Sequence, residues 1–227
     1  MGTLFIVSTP IGNLGDMTLR ALETLRTVDA VLCEDTRVTK KLLTHYEIAK
    51  PTFSFHEHSS PGVVKKIIAR LALGESLALV TDAGTPGVSD PGARLIAELR
   101  RALPEIKVVP IPGASALLAA ASVSGINTDQ FLFLGFPPHK KGRQTFFKMV
   151  VTESAKWPVI FYESPHRVQK AFTELAVNLG DEVELIVARE LTKMFEEIWH
   201  GTSSEAQKYF VGDHARGEFV IIVSQHA

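Results

Sequence analysis

Residues Thr81 to Gly92 form a stretch unusually rich in side chains that can do chemistry. The stretch contains two aspartates, three hydroxyl residues, three glycines and two prolines. Glycine permits backbone angles that other residues avoid and proline fixes them, so such a loop can hold polar groups in a set geometry. A loop that only reversed the chain would not need so many hydrogen-bonding groups. The pattern indicates a ligand-binding loop.

The flanking sequence places this loop between a strand and a helix. The apolar run Ser76 to Val80 precedes it, and the amphipathic run Ala93 to Leu103 follows it. Strand-to-helix loops of a parallel sheet open at its carboxyl edge, where α/β proteins bind ligands. Three other polar or glycine-rich loops have the same context, at Pro10 to Asn13, Glu34 to Arg37 and Pro112 to Ser115. We therefore expect these loops to meet at one sheet edge.

Apolar runs alternate with helical patterns along the whole chain, which indicates the α/β class. The first half predicts a mostly parallel sheet. The second half predicts a mixed sheet, because its last connections are short enough to join antiparallel strands. The polar stretch Ser124 to Gln130 interrupts the helical pattern. We therefore predict two α/β domains, over residues 1–124 and residues 125–227.

Composition narrows the setting in which the protein works. No apolar run reaches the roughly 20 residues of a membrane span, and the N-terminus lacks the basic region of a signal peptide. The single Cys33 leaves no partner for a disulfide within the chain. These features predict a cytoplasmic protein without a membrane anchor. The net charge of -1 means that any contact with nucleic acid depends on a local basic patch.

The common nucleotide-binding signatures are absent from the sequence. There is no G-x-G-x-x-G after a strand and no G-x-x-x-x-G-K-[ST], which argues against the usual dinucleotide and P-loop sites. His56, Glu57 and His58 could suggest a metal, but no third ligand stands at a suitable spacing, and we predict no metal site. The four loops must therefore bind another kind of ligand.

Seven short segments match one known family in the same order along the chain. They are Ser8–Leu14 (STPIGNL), Cys33–Arg37 (CEDTR), Thr81–Gly92 (TDAGTPGVSDPG), Pro112–Ala116 (PGASA), Phe133–Pro138 (FLGFPP), Tyr162–Arg167 (YESPHR) and Ala188–Lys193 (ARELTK). Single segments are weak evidence, but the ordered set is specific and spans nearly the whole chain. On these segments the chain resembles the tetrapyrrole methylase superfamily of S-adenosylmethionine (SAM) methyltransferases. Within it, the match is to enzymes that methylate the 2′-oxygen of a cytidine in small-subunit (16S) ribosomal RNA.

The resemblance implies that SAM binds in a cleft between the two domains. The corresponding positions in the first domain are Pro10, Asp82, Gly84, Thr85, Val88, Ser115 and Ala116. Those in the second domain are Tyr162, Glu163, Arg189, Glu190 and Leu191. Tetrapyrrole methylases carry an aspartate where this chain has Thr85. A contact made by that acid must therefore move to Thr85, to Asp82 or to backbone amides.

The implied reaction is an in-line methyl transfer to a ribose hydroxyl. The sulfonium is a good leaving group, so the main demand is to hold the hydroxyl oxygen in line and about 3 Å from the methyl carbon. A general base would help, because a ribose hydroxyl is a weak nucleophile. Glu34 and Asp35 are the acidic candidates, and either could instead position Arg37. Lys193 could act as the base if burial lowered its pKa, or it could bind phosphate.

A basic segment follows the predicted strand Phe131 to Phe136. Its cationic residues are Lys140, Lys141 and Arg143, and Arg37, His166 and Arg167 could extend the patch. Such a cluster on a nearly neutral protein is usually solvated surface, but the resemblance favours contact with ribosomal RNA phosphates and an unstacked base. It also implies that the small ribosomal subunit is the partner and that the protein is a homodimer. Many relatives continue beyond the last strand, whereas this chain stops at Ala227, so we do not expect RNA to dock through such an extension.

Two other functions are compatible with the same fold. A methylase acting on a corrin or porphyrin precursor would need a large trough without a basic rim, and the K-K-G-R and C-E-D-T-R segments argue against it. A non-catalytic RNA-binding assembly factor would be favoured by an incomplete cofactor loop, but the Thr81 to Gly92 loop looks complete.

Overall fold

The computed structural model describes residues 1–179 and 183–225. The chain divides into two compact units, Met1–Ser115 and Ala116–Ala227. Each unit contains its own five-stranded sheet. The division falls before the helix Ala116–Val123, whereas the sequence placed it after that helix, at the polar stretch that follows residue 124.

The N-terminal unit alternates strands and helices. Its strands are β1 (Thr3–Val7), β2 (Ala30–Cys33), β3 (Thr52–Ser54), β4 (Leu77–Leu79) and β5 (Lys107–Ile111). Its helices are α1 (Leu19–Thr27), α2 (Thr36–His45), α3 (Pro61–Ala72) and α4 (Gly92–Ala102). A short 3-10 helix, Leu14–Asp16, lies between β1 and α1.

The sheet of this unit has the order β3-β2-β4-β1-β5. Every pairing in it is parallel, which confirms the predicted mostly parallel sheet. All residues of β2 and β4 are buried, as expected for strands covered by helices on both faces. Successive side chains point to opposite faces: Leu32 packs in the core with residues of α3 and α4, and Val31 in the core with residues of α1 and α2.

The C-terminal unit has a mixed sheet with the order β6-β7-β10-β8-β9. Its elements are α5 (Ala116–Val123), β6 (Leu132–Phe133), α6 (Arg143–Ser154), β7 (Val159–Glu163), α7 (Val168–Leu179), β8 (Glu184–Arg189), β9 (Glu197–Thr202), α8 (Ser203–Tyr209), the 3-10 helix Gly212–Ala215 and β10 (Phe219–Ser224). The pairing of β6 with β7 is parallel and the other pairings are antiparallel. The predicted mixed sheet is therefore confirmed.

A hydrogen-bonded turn precedes helix α7. Ser164 and Pro165 are typical of a helix start, yet α7 begins at Val168. The backbone amides of Arg167 and Val168 both donate to the Ser164 carbonyl, which makes a turn before the helix. The Arg167 guanidinium donates to the Ser164 hydroxyl (3.1 Å) and to the Pro137 carbonyl (2.9 Å), so tertiary bonds stabilise that turn.

Among the described residues, no helix has both the length and the apolar character required to cross a membrane.

Candidate functional site

Hydrogen bonds join the loops that follow β1, β4 and β5. Thr9 and Gly84 exchange both backbone hydrogen bonds, with N···O distances of 2.9 and 3.0 Å. The Thr85 hydroxyl donates to the Ala114 carbonyl at 3.1 Å, and the Ser8 hydroxyl lies 3.0 Å from it. These bonds bring three of the four loops together, as the parallel topology predicts.

Two glycines permit the close approach of these loops. Gly84 has a φ of +83°, in the left-handed region that other residues rarely adopt. A Cβ atom on Gly113 would lie 3.0 Å from the Cβ of Ser8, which is too close for the present packing. A side chain at either position would therefore strain the loop or push it away from its neighbour.

Thr85 joins the three loops through one hydroxyl group. Because its single proton goes to the Ala114 carbonyl, Ser8 must be the donor in the bond between the two hydroxyls. Thr85 therefore has a structural role within the N-terminal unit. Asp82, by contrast, stays exposed at the start of the Thr81 to Gly92 loop.

Asp90 fixes the shape of the same loop. Its Oδ1 accepts hydrogen bonds from the backbone amides of Gly87 and Gly92, both at 2.7 Å. Burial raises the pKa of the Asp90 carboxyl, although these two bonds oppose the shift. The sequence predictions did not include Asp90. A signal was available, because an aspartate side chain in a turn often accepts from the backbone amide two residues further on, here that of Gly92.

Asp35 caps helix α2 and holds Arg37. Its carboxylate accepts from the Arg37 backbone amide at 2.8 Å and from the Arg37 guanidinium at 2.6 Å. These bonds lower the pKa of Asp35 to about 2. A group with so low a pKa is a very weak base, so the positioning role weighed for Asp35 fits the structure better than base catalysis.

Glu34 has a different environment from its neighbour Asp35. Burial, with the nearby charges of Asp82 and Asp90, raises the pKa of Glu34. Within the part of the chain that the structure describes, the Glu34 carboxylate has no hydrogen bond or ion pair. Of the two acidic candidates, Glu34 is therefore the stronger base and the one that is free to meet a ligand.

Glu34 lines a cavity of about 500 Å³ in the N-terminal unit. The lining residues lie on and after the ends of β2, β3 and β4; they are Glu34, Asp35, Thr36, Ser54, His56, Glu57, His58 and Asp82. Four of them are carboxylates and none is Lys or Arg, so the cavity repels anions. Within residues 1–179 and 183–225, no group of three or more His, Cys, Asp or Glu is arranged to hold a metal ion.

The turn that carries His56 and Glu57 is fixed by helix α4. Arg94 Nη1 donates to the Glu57 carbonyl at 2.6 Å, and its Nη2 donates to the Ser59 carbonyl at 2.8 Å. The His56 amide and the Ser59 hydroxyl are also bonded, at 2.9 Å. The cavity wall is therefore tied to the helix that begins at the last residue of the Thr81 to Gly92 loop.

Two polar residues predicted at the site are buried in the C-terminal unit. Arg143 and Glu163 form an ion pair of 3.1 Å, with side chains 3% and 0% exposed. Arg143 also bonds Glu174 at 2.8 Å, and Glu163 also pairs with Arg167 at 3.0 Å. This pairing leaves Arg143 unavailable to an RNA phosphate, which corrects the prediction for it. The Glu163 side chain is likewise engaged within the protein, and its predicted cofactor contact stays a prediction.

Lys193 does not meet the condition for a general base. Its ammonium lies 2.7 Å from Glu190 and 2.9 Å from Glu218. Burial alone would lower the pKa of Lys193, but the bonds and charges of the two carboxylates outweigh it and the pKa is raised. Lys193 therefore stays protonated, which corrects its prediction as a base, and the two carboxylates balance its charge.

Other predicted cofactor positions of the C-terminal unit differ in their surroundings. Tyr162 accepts a hydrogen bond from the Leu117 amide at 3.2 Å, at the start of α5. Tyr162, Leu191 and Ala116 are partly buried against the same apolar cluster. Arg189 is mostly buried and bonds Glu197 at 2.9 Å.

The remaining predicted residues differ in exposure. Lys140, Lys141 and His166 are exposed, and the Arg37 side chain is 86% exposed. In the cofactor set, Pro10 is buried, Ser115 is half-buried and Val88 is exposed. The lysines therefore remain available to a partner, whereas the Arg167 guanidinium is mostly buried in its bonds to Glu163 and Pro137.

Comparison with known proteins gives one consistent result. The tetrapyrrole (corrin/porphyrin) methylase family matches residues 3–207. A ribosomal RNA small subunit methyltransferase I from Synechocystis sp. is 48% identical over 225 residues, covering 99% of this chain and 79% of that protein. The protein of the same name from Thermotoga maritima is 43% identical and covers 99% of both chains.

Solved structures of the same fold superpose on the whole chain. Uroporphyrin-III-C-methyltransferase from Thermus thermophilus has a TM-score of 0.69 at 17% identity, over 99% of this chain and 95% of that one. A diphthine synthase has a TM-score of 0.74 at 15% identity, over 99% and 90%. At these identities the likeness concerns the fold alone. The family match and the sequence relatives show that the chain belongs to the tetrapyrrole (corrin/porphyrin) methylase family of SAM-dependent methyltransferases.

Proposed function

We propose that the protein transfers the methyl group of SAM to the 2′-oxygen of a cytidine ribose in small-subunit (16S) ribosomal RNA. The observation that carries this proposal is the 48% identity, over 99% of the chain, to a ribosomal RNA small subunit methyltransferase. We assign the cofactor to the joined loops that follow β1, β4 and β5, and the acceptor nucleotide to the cavity of the same unit.

The joined loops of the N-terminal unit suit SAM. Gly84 and Gly113 let these loops approach one another closely, and an adenosyl group needs backbone hydrogen bonds beside apolar walls. We assign the contacts from the first part of the chain to Pro10, Asp82, Gly84, Thr85, Val88, Ser115 and Ala116, with Thr85 acting mainly through the loop that it holds. Tyr162, Arg189, Glu190 and Leu191 are the proposed contacts from later in the chain. When bound, SAM supplies an activated methyl group and a neutral leaving group.

Glu34 is the proposed general base for the ribose hydroxyl. Its carboxylate borders the cavity, has a raised pKa and pairs with no group among the described residues. A raised pKa brings a carboxylate closer to the working pH, which favours proton transfer from a weak acid. The main contribution of the remaining residues is alignment of the acceptor oxygen with the methyl group.

Lys140 and Lys141 are the proposed phosphate contacts. Both lysines are exposed. The segment that carries them is held at one end by the hydrogen bond of Arg167 to the Pro137 carbonyl and at the other end by the bond of Arg143 to Glu174. A rigid basic segment can place an RNA strand without selecting its sequence. His166 and Arg37 remain candidates at the margin of this surface. We also propose a homodimer in the cytoplasm, which sedimentation velocity and cell fractionation would test.

The acidic cavity argues against a corrin or porphyrin substrate. Biosynthetic precursors of these rings carry several carboxylates, and a cavity lined by four carboxylates would repel them. A purely structural assembly factor is disfavoured because the cofactor loop keeps its full set of internal bonds.

The test is incubation of the protein with labelled SAM and either undermethylated small ribosomal subunits or a precorrin. We expect label on the 2′-oxygen of one cytidine of the RNA and none on the tetrapyrrole. Label on the tetrapyrrole alone would contradict the proposal. Calorimetric titration with SAM in the same experiment tests the assembly-factor alternative, since absence of binding at millimolar SAM would exclude both enzyme functions.

A further inference from the structure

We propose that the acidic cavity recognises the base of the acceptor nucleotide, with His56 and Glu57 selecting cytosine over uracil. This inference rests on the proposed function, because it names the residues that would discriminate at the same site. It concerns binding of the base and is separate from the role of Glu34 toward the ribose.

His56 offers a hydrogen-bond donor at the cavity. The backbone amide of His58 donates to Nδ1 of His56 at 3.2 Å, so Nδ1 acts as an acceptor and carries no proton. In the neutral ring the proton then lies on Nε2. The bond within this turn therefore determines which ring nitrogen of His56, a lining residue of the cavity, can donate.

Glu57 offers the complementary acceptor. Its carbonyl is engaged by Arg94, but within the described part of the chain its carboxylate has no hydrogen bond or ion pair. Glu57 is adjacent to His56, and both line the same cavity. One short turn thus carries a donor and a charged acceptor on adjacent residues that line the same cavity.

This pair matches the hydrogen-bonding edge of cytosine. Along this edge cytosine has an exocyclic amine that donates, then a ring nitrogen that accepts and then a carbonyl oxygen that accepts, whereas uracil has a carbonyl oxygen in place of the amine and a ring N–H in place of the accepting nitrogen. A carboxylate binds the amine and repels that carbonyl. A base is also the part of a nucleotide that an anionic cavity can accept, because the phosphate would be repelled.

The setting of the turn supports recognition rather than a loose surface contact. Arg94 fixes the turn through two bonds, at 2.6 and 2.8 Å, and fixed groups discriminate better than mobile ones. The cavity of about 500 Å³ has the size of ordinary small-ligand pockets. Asp82 belongs both to its lining and to the proposed cofactor loop, and it accepts the Asp35 amide at 3.2 Å. The base would therefore lie beside the proposed site of methyl transfer.

The experiment compares two single substitutions on two RNAs. Reconstituted small subunits carrying cytidine or uridine at the methylated position are assayed for kcat/KM with the wild-type protein, Glu57→Gln and Glu34→Gln. A glutamine at 57 can donate to the uracil carbonyl, so we expect the cytidine-to-uridine ratio to fall about tenfold, in line with the usual discrimination by one good side-chain contact. Glu34→Gln should lower both rates and leave the ratio unchanged.

Controls separate recognition from folding and from failure of the proposed function. Glu105→Gln removes an exposed carboxylate outside the cavity and should keep the wild-type ratio, and His56→Ala should lower the ratio as Glu57→Gln does. SAM affinity and thermal unfolding verify that each variant is folded. A wild-type ratio in folded Glu57→Gln and His56→Ala would overturn the inference, as would a change of ratio in Glu34→Gln alone. If the wild-type protein methylates neither RNA, the proposed function fails and this inference fails with it.

Discussion

Charged side chains at the strand ends of the two units differ in whether they form ion pairs. In the N-terminal unit, Glu34 and Asp82 follow β2 and β4 and stay outside any ion pair within the described residues. In the C-terminal unit, Glu163 and Arg189 end β7 and β8, and both are committed to ion pairs. Charged residues of family-matching segments are thus available to a ligand in the N-terminal unit, whereas in the C-terminal unit they stabilise the fold through ion pairs.

The difference shows that a matching segment identifies a family more securely than it identifies a contact. The segment C-E-D-T-R contains an acid that is free and one that is paired, next to each other. Whether a carboxylate can bind a substrate depends on which cation the fold brings to it, and that partner can lie far away in sequence.

The largest expected effect comes from breaking the buried network of the C-terminal unit. Glu163→Ala leaves Arg143 and Arg167 without their shared partner, and loss of one member of a buried pair costs about 3–5 kcal/mol of stability. Glu34→Ala, at an unpaired position, should change stability by less than about 0.5 kcal/mol. Urea unfolding of both variants measures the contrast, and equal losses would refute the division of roles.

Loss of the free carboxylate should act on rate rather than on stability. We expect Glu34→Gln to lower kcat about 100-fold, as for removal of a general base. In the wild-type protein, kcat should fall as the pH drops through the raised pKa of Glu34, because only the deprotonated carboxylate accepts a proton. Asp35→Asn should keep this pH dependence, since Asp35, with its pKa of about 2, stays charged throughout the range. A pH profile that survives in Glu34→Gln would exclude Glu34 as the base.

Substitution of Gly84 tests the loop junction. Gly84→Val places a branched side chain at a φ of +83°, with Ile11 Cγ2 only 3.5 Å from the new Cβ. Such backbone strain costs about 1–3 kcal/mol, and we expect SAM affinity to fall by about tenfold or more. Gly125→Val is the matched control, because Gly125 has a φ of +74° with nothing within 4 Å of an added Cβ. Calorimetry with SAM should find weaker binding for Gly84→Val alone, and equal affinities for the two variants would mean that the site is misplaced.

The smallest expected effect is that of the exposed lysines. Replacing Lys140 and Lys141 with alanine should weaken RNA binding about equally for different sequences and lower the salt slope by about 2, while SAM affinity stays the same. Lys65 and Lys66, exposed on α3, provide a control with the same change of charge. Fluorescence titrations at several salt concentrations give the slope. If both double variants give the wild-type slope, Lys140 and Lys141 do not contact phosphate.

The sequence was sufficient for the fold and for the convergence of the loops. Parallel strands with buried residues leave a strong apolar pattern, and the carboxyl ends of such strands meet at one edge. The free state of Glu34 and the helix-capping role of Asp35 could not be separated from sequence, because both are acids within one segment. The bonds from the Arg37 amide and guanidinium to Asp35, which the folded chain sets, distinguish them.

The burial of Arg143 could not be predicted either. In the sequence it follows Lys140, Lys141 and Gly142 and looks like part of an exposed basic segment. Its partners are Glu163 on β7 and Glu174 on α7, and no local pattern links residues so far apart. Cation and carboxylate are brought together by the packing of α6 and α7, which is a property of the folded unit.

The position of Arg94 would connect the two proposed binding events. Helix α4 begins at Gly92, where the proposed cofactor loop ends, and in its first turn carries the guanidinium that bonds the turn of His56 and Glu57. With both ligands bound as proposed, a displacement of this helix end by one of them would be transmitted to the groups that meet the other. Coupling of this kind is reciprocal, so a protein that binds its RNA more tightly once the methyl donor is in place must also retain the donor more tightly once the RNA has arrived.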